Sequence, residues 1–154
     1  MEDLTISLEQ GLLNVRTSAL VKCKEHYLIH RASKDDFWCF VGGRIKFEED
    51  SWSALKREFL EELDYEITQP EILLFHVEQF FSYENTRYHE LNYGYLIELK
   101  TQEIPNQTRQ EEGKTFLYEW KTAEEIQELT VYPEIANEII QNQKFEFQHV
   151  VQRK

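Results

Sequence analysis

A helical segment interrupts a chain that otherwise alternates between apolar and polar residues. Between Asp50 and Leu63, apolar side chains recur at spacings of three and four, which is the period of one face of an α-helix. The residues of this stripe are Trp52, Leu55, Phe59 and Leu63. Asp50 or Ser51 can cap the first turn. The pattern predicts one amphipathic helix lying between stretches of β-strand.

The remaining segments predict a mixed fold built mostly from strands. Strands are predicted at residues 15–23, 27–30, 37–41, 71–81, 91–99 and 115–120, with a final strand at 145–151. Residues 101–114 are predicted to form the longest loop. A capping box, Thr122-x-x-Glu125, opens a short helix, and Pro133 suits the first position of the last helix. We therefore predict a single α/β domain over residues 1–154, an α/β/α sandwich around a central mixed sheet.

Charge and composition exclude several classes of protein. The formal charge of −12 disfavours binding to nucleic acid and to anionic membrane surfaces. No run approaches the ~18 apolar residues of a transmembrane helix, and residues 1–4 lack the basic and apolar regions of a secretory signal. Cys23 and Cys39 form no C-x-x-C pair and are predicted to be reduced thiols. We expect a cytoplasmic protein.

The predicted helix carries an unfavourable arrangement of charge. Glu58, Glu61 and Glu62 lie on one face, where like charges destabilise a helix by about 0.2–0.5 kcal/mol per pair, and they lie towards the negative end of the helix dipole. The arrangement is explained if a cation lies among them. Carboxylates without His or Cys favour a hard ion, which here means Mg²⁺ or Mn²⁺. The alternative is a solvated acidic face.

The spacing upstream of these glutamates is specific. Gly43 is followed by five residues and Glu49, then by seven residues and the segment 57–62, Arg-Glu-Phe-Leu-Glu-Glu. This pattern resembles the box of the Nudix hydrolase family (MutT-like), G-x5-E-x7-R-E-U-x-E-E-x-G-U, where U is a bulky apolar residue. The chain departs from it at Asp64, which replaces the last glycine. Tyr65 takes the final apolar position.

The resemblance implies the Nudix fold over residues 10–150 and a metal-dependent hydrolase. Such an enzyme cleaves the pyrophosphate linkage of a nucleoside diphosphate joined to another moiety, of the nucleotide, nucleotide sugar or ADP-ribose type. The implied metal ligands are Gly43, through its carbonyl, and Glu49, Glu58, Glu61 and Glu62. The implied catalytic residues are Arg57, Glu58, Glu61 and Glu62, with Arg57 holding a glutamate in place. The general base stays open among Glu61, Glu62, Glu111 and Glu112, and Glu90 is a weaker candidate.

Substrate contacts are less constrained by the sequence. Arg44 follows the paired glycines directly and is the candidate ligand for phosphate. Three further arginines, Arg16, Arg31 and Arg87, are expected to be solvated strand residues. Four aromatic residues near loops are candidates for stacking on a base, although each is individually expected to be structural; they are Phe37, Trp38, Tyr83 and Tyr88. Specificity is expected to reside in the segments 81–90 and 101–114.

Two other functions compete with hydrolysis. A non-hydrolytic Nudix-like module that binds a ligand is disfavoured because all the box glutamates are present. An isomerase of isoprenoid diphosphates would need a cysteine at the site, and Cys39 lies near the paired glycines. The partner we expect is a small nucleoside diphosphate derivative. The sequence leaves the exact substrate, the number of metal ions and the oligomeric state open, a homodimer included.

Overall fold

The computed structural model describes residues 1–154 and contains eleven strands and three helices. The first strands are β1 (Thr5–Leu8), β2 (Gly11–Cys23), β3 (His26–Ala32), β4 (Trp38–Phe40) and β5 (Gly42–Arg44). Helix α1 (Ser51–Leu63) precedes β6 (Leu73–Tyr83), β7 (Thr86–Leu99), β8 (Gln107–Glu111) and β9 (Lys114–Thr122). The chain ends with α2 (Ala123–Gln127), β10 (Val131–Tyr132), α3 (Glu134–Asn142) and β11 (Gln148–Arg153).

The strands form one mixed sheet that the helices cover on both faces. Its central order is β10-β4-β3-β2-β7-β6-β11, and the short β5 pairs with β2. Strands β2 and β7 run parallel over the register from Leu12–Tyr88 to Cys23–Leu99. Helix α1 buries Leu55, Phe59 and Leu63 against one face. Helices α2 and α3 bury Ile126, Ile135 and Ile139 against the other, which confirms the predicted α/β/α layers.

The predicted loop at residues 101–114 is wrong in its second half. Strands β8 and β9 form a hairpin there, joined at Glu112 and Gly113, which both have positive φ (48° and 78°). Two such residues in succession match the twist of a tight hairpin turn. Gly113, a residue type common in loops, here marks a turn between strands. The correction matters because β8 carries a side chain of the candidate site.

Smaller differences have local causes. Strand β1 and the two-residue β10 were not predicted, since each is too short to show a period. The predicted strand 37–41 is observed as β4, and β5, which was not predicted, follows it and pairs with a different neighbour. Pro133 caps α3 from outside the helix instead of occupying its first position. Cys23 and Cys39 are both free thiols. None of the helices combines the length and the apolar character needed to cross a bilayer.

Candidate active site

Helix α1 presents the box glutamates because both of its ends are fixed. The Asp50 side chain accepts a hydrogen bond of 2.8 Å from the Ser53 amide, so the predicted cap is confirmed. At the other end Asp64 takes the left-handed conformation (φ 51°, ψ 39°), and its amide bonds back to the last turn. The residue that replaces the box glycine therefore performs the same conformational role, which an aspartate tolerates better than most residues.

Gly43 is required by the approach of Glu58. A Cβ atom added at Gly43 would lie 2.5 and 2.6 Å from the two carboxylate oxygens of Glu58. No side chain fits at that separation. The absence of a side chain therefore lets the Glu58 carboxylate pack directly against the β5 backbone.

Arg57 gathers three glutamates around one guanidinium. Its Nε and Nη2 bind the two oxygens of Glu49 at 2.7 and 2.9 Å. Its Nη1 donates to Glu58 at 3.0 Å and to Glu61 at 3.2 Å, and Nη2 also donates to the Arg44 carbonyl at 3.0 Å. The guanidinium thus has the geometry that orients Glu58, and its pairing with Glu61 is only one of its contacts.

Glu62 lies beside Glu58, apart from the Arg57 cluster. Its Oε1 accepts a bond of 3.3 Å from Arg109 on β8, and Arg109 also donates to Glu111 at 2.6 Å. Its Oε2 is buried and has no hydrogen-bond partner. A buried carboxylate oxygen without a partner is costly, so this atom is the place where a cation would be most strongly attracted.

The electrostatics of Glu58 and Glu62 follow from their burial and proximity. Burial raises the pKa of Glu58 above its usual range, although Arg57 opposes the change. Burial, followed by the neighbouring Glu58 carboxylate, raises the pKa of Glu62 to about 8. In contrast, the bonds from Arg57 lower the pKa of Glu49. Ionising both carboxylates of the pair Glu58–Glu62 is therefore unfavourable, and the pair holds a proton near neutral pH that a bound cation could replace.

The residues suit a divalent cation in their donor chemistry, although they do not form a finished cage. No three Asp, Glu, His or Cys side chains converge closely enough to enclose an ion in this conformation. The reason is that Glu49, Glu58 and Glu61 all turn towards Arg57. The cationic partner expected from the crowding of the helix face is thus supplied in part by arginine. The unpartnered oxygen of Glu62, beside Glu58, is what still fits a metal ion.

The other candidates for the general base lie in different places. Glu111 reaches the site through Arg109, which binds Glu62 at the same time. Glu112 lies in the exposed hairpin turn. Glu90 is not with the box at all, because it is buried in the sheet face opposite α1.

A cleft of about 500 Å³ opens on the α3 side of the sheet. Successive residues of a strand face opposite sides, so Gly43 faces α1 while Arg44 lines this cleft. Arg16, which pairs with Arg44 across β2 and β5, also lines it. Arg16 was expected to be solvated, but its Nε is buried without a hydrogen-bond partner. Arg44 is also joined to the box through its backbone carbonyl, which accepts the hydrogen bond from Arg57.

Of the other residues considered for substrate contacts, some line the cleft and the rest support the fold. Phe37, Tyr83 and Tyr88 line the cleft, whereas Trp38 is buried in the core. Arg31 binds the carbonyls of Ser33 and Asp35, and Arg87 binds Ser82, so both serve the fold. Cys39 also lines the cleft, and burial raises the pKa of its thiol to about 11, which disfavours a reactive thiolate.

Sequence reasoning missed Arg109 and the polar floor of the cleft. The Glu112-Gly113 pair, followed by the β-prone segment 114–122, was the available signal for the hairpin that carries Arg109, although the polar segment 107–111 before it has no strand pattern. The floor had no such signal. Its residues come from β2, β6 and β7, and only the register of those strands brings them together.

Comparison with known proteins identifies the family and the fold. The family model described as NUDIX domain matches residues 13–143. No curated protein matches the chain significantly. Similar solved structures include a MutT protein from Bacillus halodurans, with 18% identity, coverage of 90% of this chain and 89% of that one, and a TM-score of 0.68.

Two more structures show the same fold. The MutT NUDIX hydrolase of Burkholderia pseudomallei has 18% identity over 82% of this chain and 96% of its own, with a TM-score of 0.63. The dihydroneopterin triphosphate pyrophosphohydrolase of E. coli has 19% identity, coverage of 83% and 92%, and a TM-score of 0.56. At these identities the structures establish the fold, and the family model covers most of the chain. The chain therefore belongs to the Nudix hydrolase family.

Proposed function

We propose that this protein is a divalent-metal-dependent hydrolase that cleaves the pyrophosphate linkage of a small nucleoside diphosphate derivative. The observation that carries the proposal is the buried, unpartnered Oε2 of Glu62 beside Glu58, whose own carboxylate packs against Gly43. The solved structures of similar fold support it, since one of them is named a pyrophosphohydrolase and another a UDP-X diphosphatase.

The proposed ligands are Glu58, Glu61 and Glu62 with the Gly43 carbonyl, and Glu49 joins them directly or through water. Mg²⁺ is the proposed ion and Mn²⁺ the alternative. When bound, such an ion neutralises phosphate charge and lowers the pKa of a coordinated water.

The chain's own residues hold the carboxylates ready for that ligand. Arg57 fixes the side chains of Glu49 and Glu58 through charge-assisted hydrogen bonds, so both are ordered before an ion binds. Arg109 holds one oxygen of Glu62 and leaves the other free. The proposed general base is one of Glu61, Glu62 and Glu111, and Glu112 is the weaker candidate because it lies in the exposed turn. On the far side of β5, Arg44 is proposed to bind substrate phosphate.

The expected setting is the cytoplasm, with a small molecule as partner and no role for nucleic acid or membrane. A homodimer is compatible with the proposal and is not required by it, because every residue named here comes from one chain.

The test is a phosphate-release screen in Mg²⁺ over nucleotides, nucleotide sugars and dinucleoside polyphosphates. For a substrate found in this way, Glu58→Gln and Glu62→Gln should each lower kcat by about 10²–10⁴ while the fold is kept, as expected when a ligand or base is lost. Glu66→Gln is the matched control, because Glu66 is exposed just beyond the helix. Full activity of both variants, or no turnover of any compound, would overturn the proposal.

A further inference from the structure

The floor of the cleft contains a row of three side chains that spans three strands. Asn14 on β2, Glu90 on β7 and Gln79 on β6 are partners in register. Asn14 donates to one oxygen of Glu90 at 2.8 Å, and Gln79 donates to the other at 2.7 Å. Thr5 in turn holds Asn14 at 2.7 Å. The carboxylate is therefore clamped from both sides along the plane of the sheet.

This clamp leaves the carboxylate with unused capacity that faces the cleft. An ionised carboxylate has about four acceptor positions, and the two amides occupy one on each oxygen. Glu90 is 6% exposed, and both of its partners are neutral. A ligand that offers two adjacent hydrogen-bond donors would therefore stabilise this buried negative charge, which its neutral partners leave uncompensated.

The next row along the strands supplies the opposite charge. Arg16 on β2 is the register partner of Asn92 on β7, and both line the cleft. Ser18 donates to the Asn92 oxygen at 2.9 Å, which leaves the amide nitrogen of Asn92 as a donor. Arg16 has a buried Nε without a partner and does not pair with Glu90. This row offers donors to an acceptor atom on the ligand.

Aromatic rings flank the polar floor. Phe81 and Tyr88 pair across β6 and β7, with ring centroids 5.0 Å apart and planes within 2°. Phe37 packs edge-on against Tyr83 and Tyr132 at 6.0 and 5.5 Å. All five line the cleft. A flat ring inserted here finds apolar surface to stack on, which a sugar would use less fully.

We propose that this cleft recognises a 2-amino-4-oxopyrimidine edge, which guanine and pterins share. Glu90 accepts hydrogen bonds from the ring N–H and from the exocyclic amino group. Arg16 and Asn92 donate to the oxo group. The inference rests on the proposed function, of which it names the substrate class. Hypoxanthine lacks the amino group, so it would lose one of the two hydrogen bonds to Glu90. Adenine would turn an acceptor nitrogen towards the Glu90 carboxylate, which is also an acceptor.

The experiment is calorimetric titration of the full chain with GMP, IMP, AMP and neopterin in buffer without metal. GMP is expected to bind about 10- to 100-fold more tightly than IMP or AMP, the range that corresponds to losing one good bidentate contact. The GMP and neopterin arms distinguish the two sources of the same edge. The inference is supported when GMP binds more tightly than IMP and AMP, or when neopterin binds and none of the three nucleotides does. Measurable but equal affinities for GMP, IMP and AMP, or no binding of GMP and neopterin at millimolar concentration, overturn it.

A variant pair locates the effect. Glu90→Gln should lose the preference for GMP over AMP, whereas Glu98→Gln, an exposed residue of the same strand, should keep it. If Glu90 instead accepts from a ribose diol, the three nucleotides will bind alike and their 2′,3′-dideoxy forms more weakly, which rejects the inference. The comparison of ligands on the unaltered protein decides the matter even if Glu90→Gln fails to fold.

This test is separate from that of the proposed function. Binding without metal involves no turnover, so a preference for GMP or neopterin can hold while the hydrolysis screen is negative. Conversely, hydrolysis of substrates irrespective of their base rejects this inference alone.

Discussion

The guanidinium of Arg57 binds the carboxylate of Glu49 through two parallel hydrogen bonds, Nε to Oε2 at 2.7 Å and Nη2 to Oε1 at 2.9 Å. This pairing joins the middle of α1 to the segment that leads into it. The planar fork matches the planar carboxylate, so the contact fixes orientation as well as distance. Because the same group also donates to Glu58, the position of Glu49 and that of Glu58 are linked.

Arg57→Lys is therefore expected to impair the site although the charge is kept. An ammonium group cannot bind Glu49 in a fork and reach Glu58 at the same time. We expect kcat to fall about 10–100-fold, the range typical for loss of a residue that orients metal ligands. The measurement is kcat for a substrate found in the screen, with Mn²⁺ affinity as a second readout. The neighbouring Lys56→Arg should change neither, and an Arg57→Lys enzyme with unchanged kcat would contradict the orienting role.

Gly43→Ala should displace Glu58 by direct collision, since the new Cβ would lie within 2.6 Å of both carboxylate oxygens. We expect a loss of activity comparable to that of Glu58→Ala. The informative measurement is a double-mutant cycle. If the collision is the cause, adding Gly43→Ala to Glu58→Ala should lower kcat no further. Fully additive losses would show that Gly43 acts in some other way.

How much the sequence could predict depends on the range of the interactions. The helix at residues 51–63, its Asp50 cap and the capping box at Thr122 follow from neighbours within one turn, and all were predicted and confirmed. The box glutamates were identified as candidates for the same reason. The Arg109–Glu62 contact joins residues 47 positions apart, and no local pattern signals it.

The cleft illustrates the same limit more strongly. Asn14 and Glu90 are 76 positions apart, and they meet because β2 and β7 run parallel in one particular register. A shift of one strand by one residue would leave the two side chains on opposite faces of the sheet. Arg16 was read as a solvated residue because alternation along β2 cannot tell a cleft from open solvent. The sequence also predicts that a cation must offset the crowded carboxylates of α1, but Arg57 already neutralises part of their charge.

Asp64→Gly should stabilise the protein. Asp64 holds φ at 51°, a region that costs energy for residues with a Cβ and none for glycine. We expect the free energy of unfolding to rise by about 0.5–1 kcal/mol, as measured by urea denaturation. Glu128→Gly is the matched control, because that helix end has φ at −86° and gains nothing from glycine. An equal response of the two variants would argue against conformational strain as the cause.

Mg²⁺ or Mn²⁺ should raise the melting temperature of the protein, because the ion relieves the Glu58–Glu62 pair in the folded state only. At a concentration about 100 times Kd the gain is about 2.7 kcal/mol. For a domain of this size that corresponds to roughly 5–10 °C. The measurement is thermal unfolding in millimolar metal against EDTA. Glu62→Gln should lose most of the shift, and an unchanged melting temperature in the unaltered protein would count against the site.

Without metal, stability should fall as the pH rises between about 6.5 and 8. Burial and the neighbouring Glu58 raise the pKa of Glu62 to about 8 in the folded protein, whereas an unfolded glutamate has a pKa near its ordinary 4.5. Over this interval the folded state holds a proton that the unfolded state has released, so raising the pH favours unfolding. The stabilisation is complete below the unfolded value and is lost through the folded one.

Buried His30 contributes the opposite slope, but only below its ordinary pKa of 6.5, since burial lowers its pKa to about 3. The interval from 6.5 to 8 is therefore where Glu62 can be observed separately. The measurement is urea denaturation in EDTA at pH 6.5, 7.25 and 8 for the unaltered protein and Glu62→Gln. The variant has no such group to titrate, so its stability should change less over this interval. If the two proteins gave parallel profiles, Glu62 would have an ordinary pKa, and the unpartnered oxygen beside Glu58 would carry no special affinity for a cation.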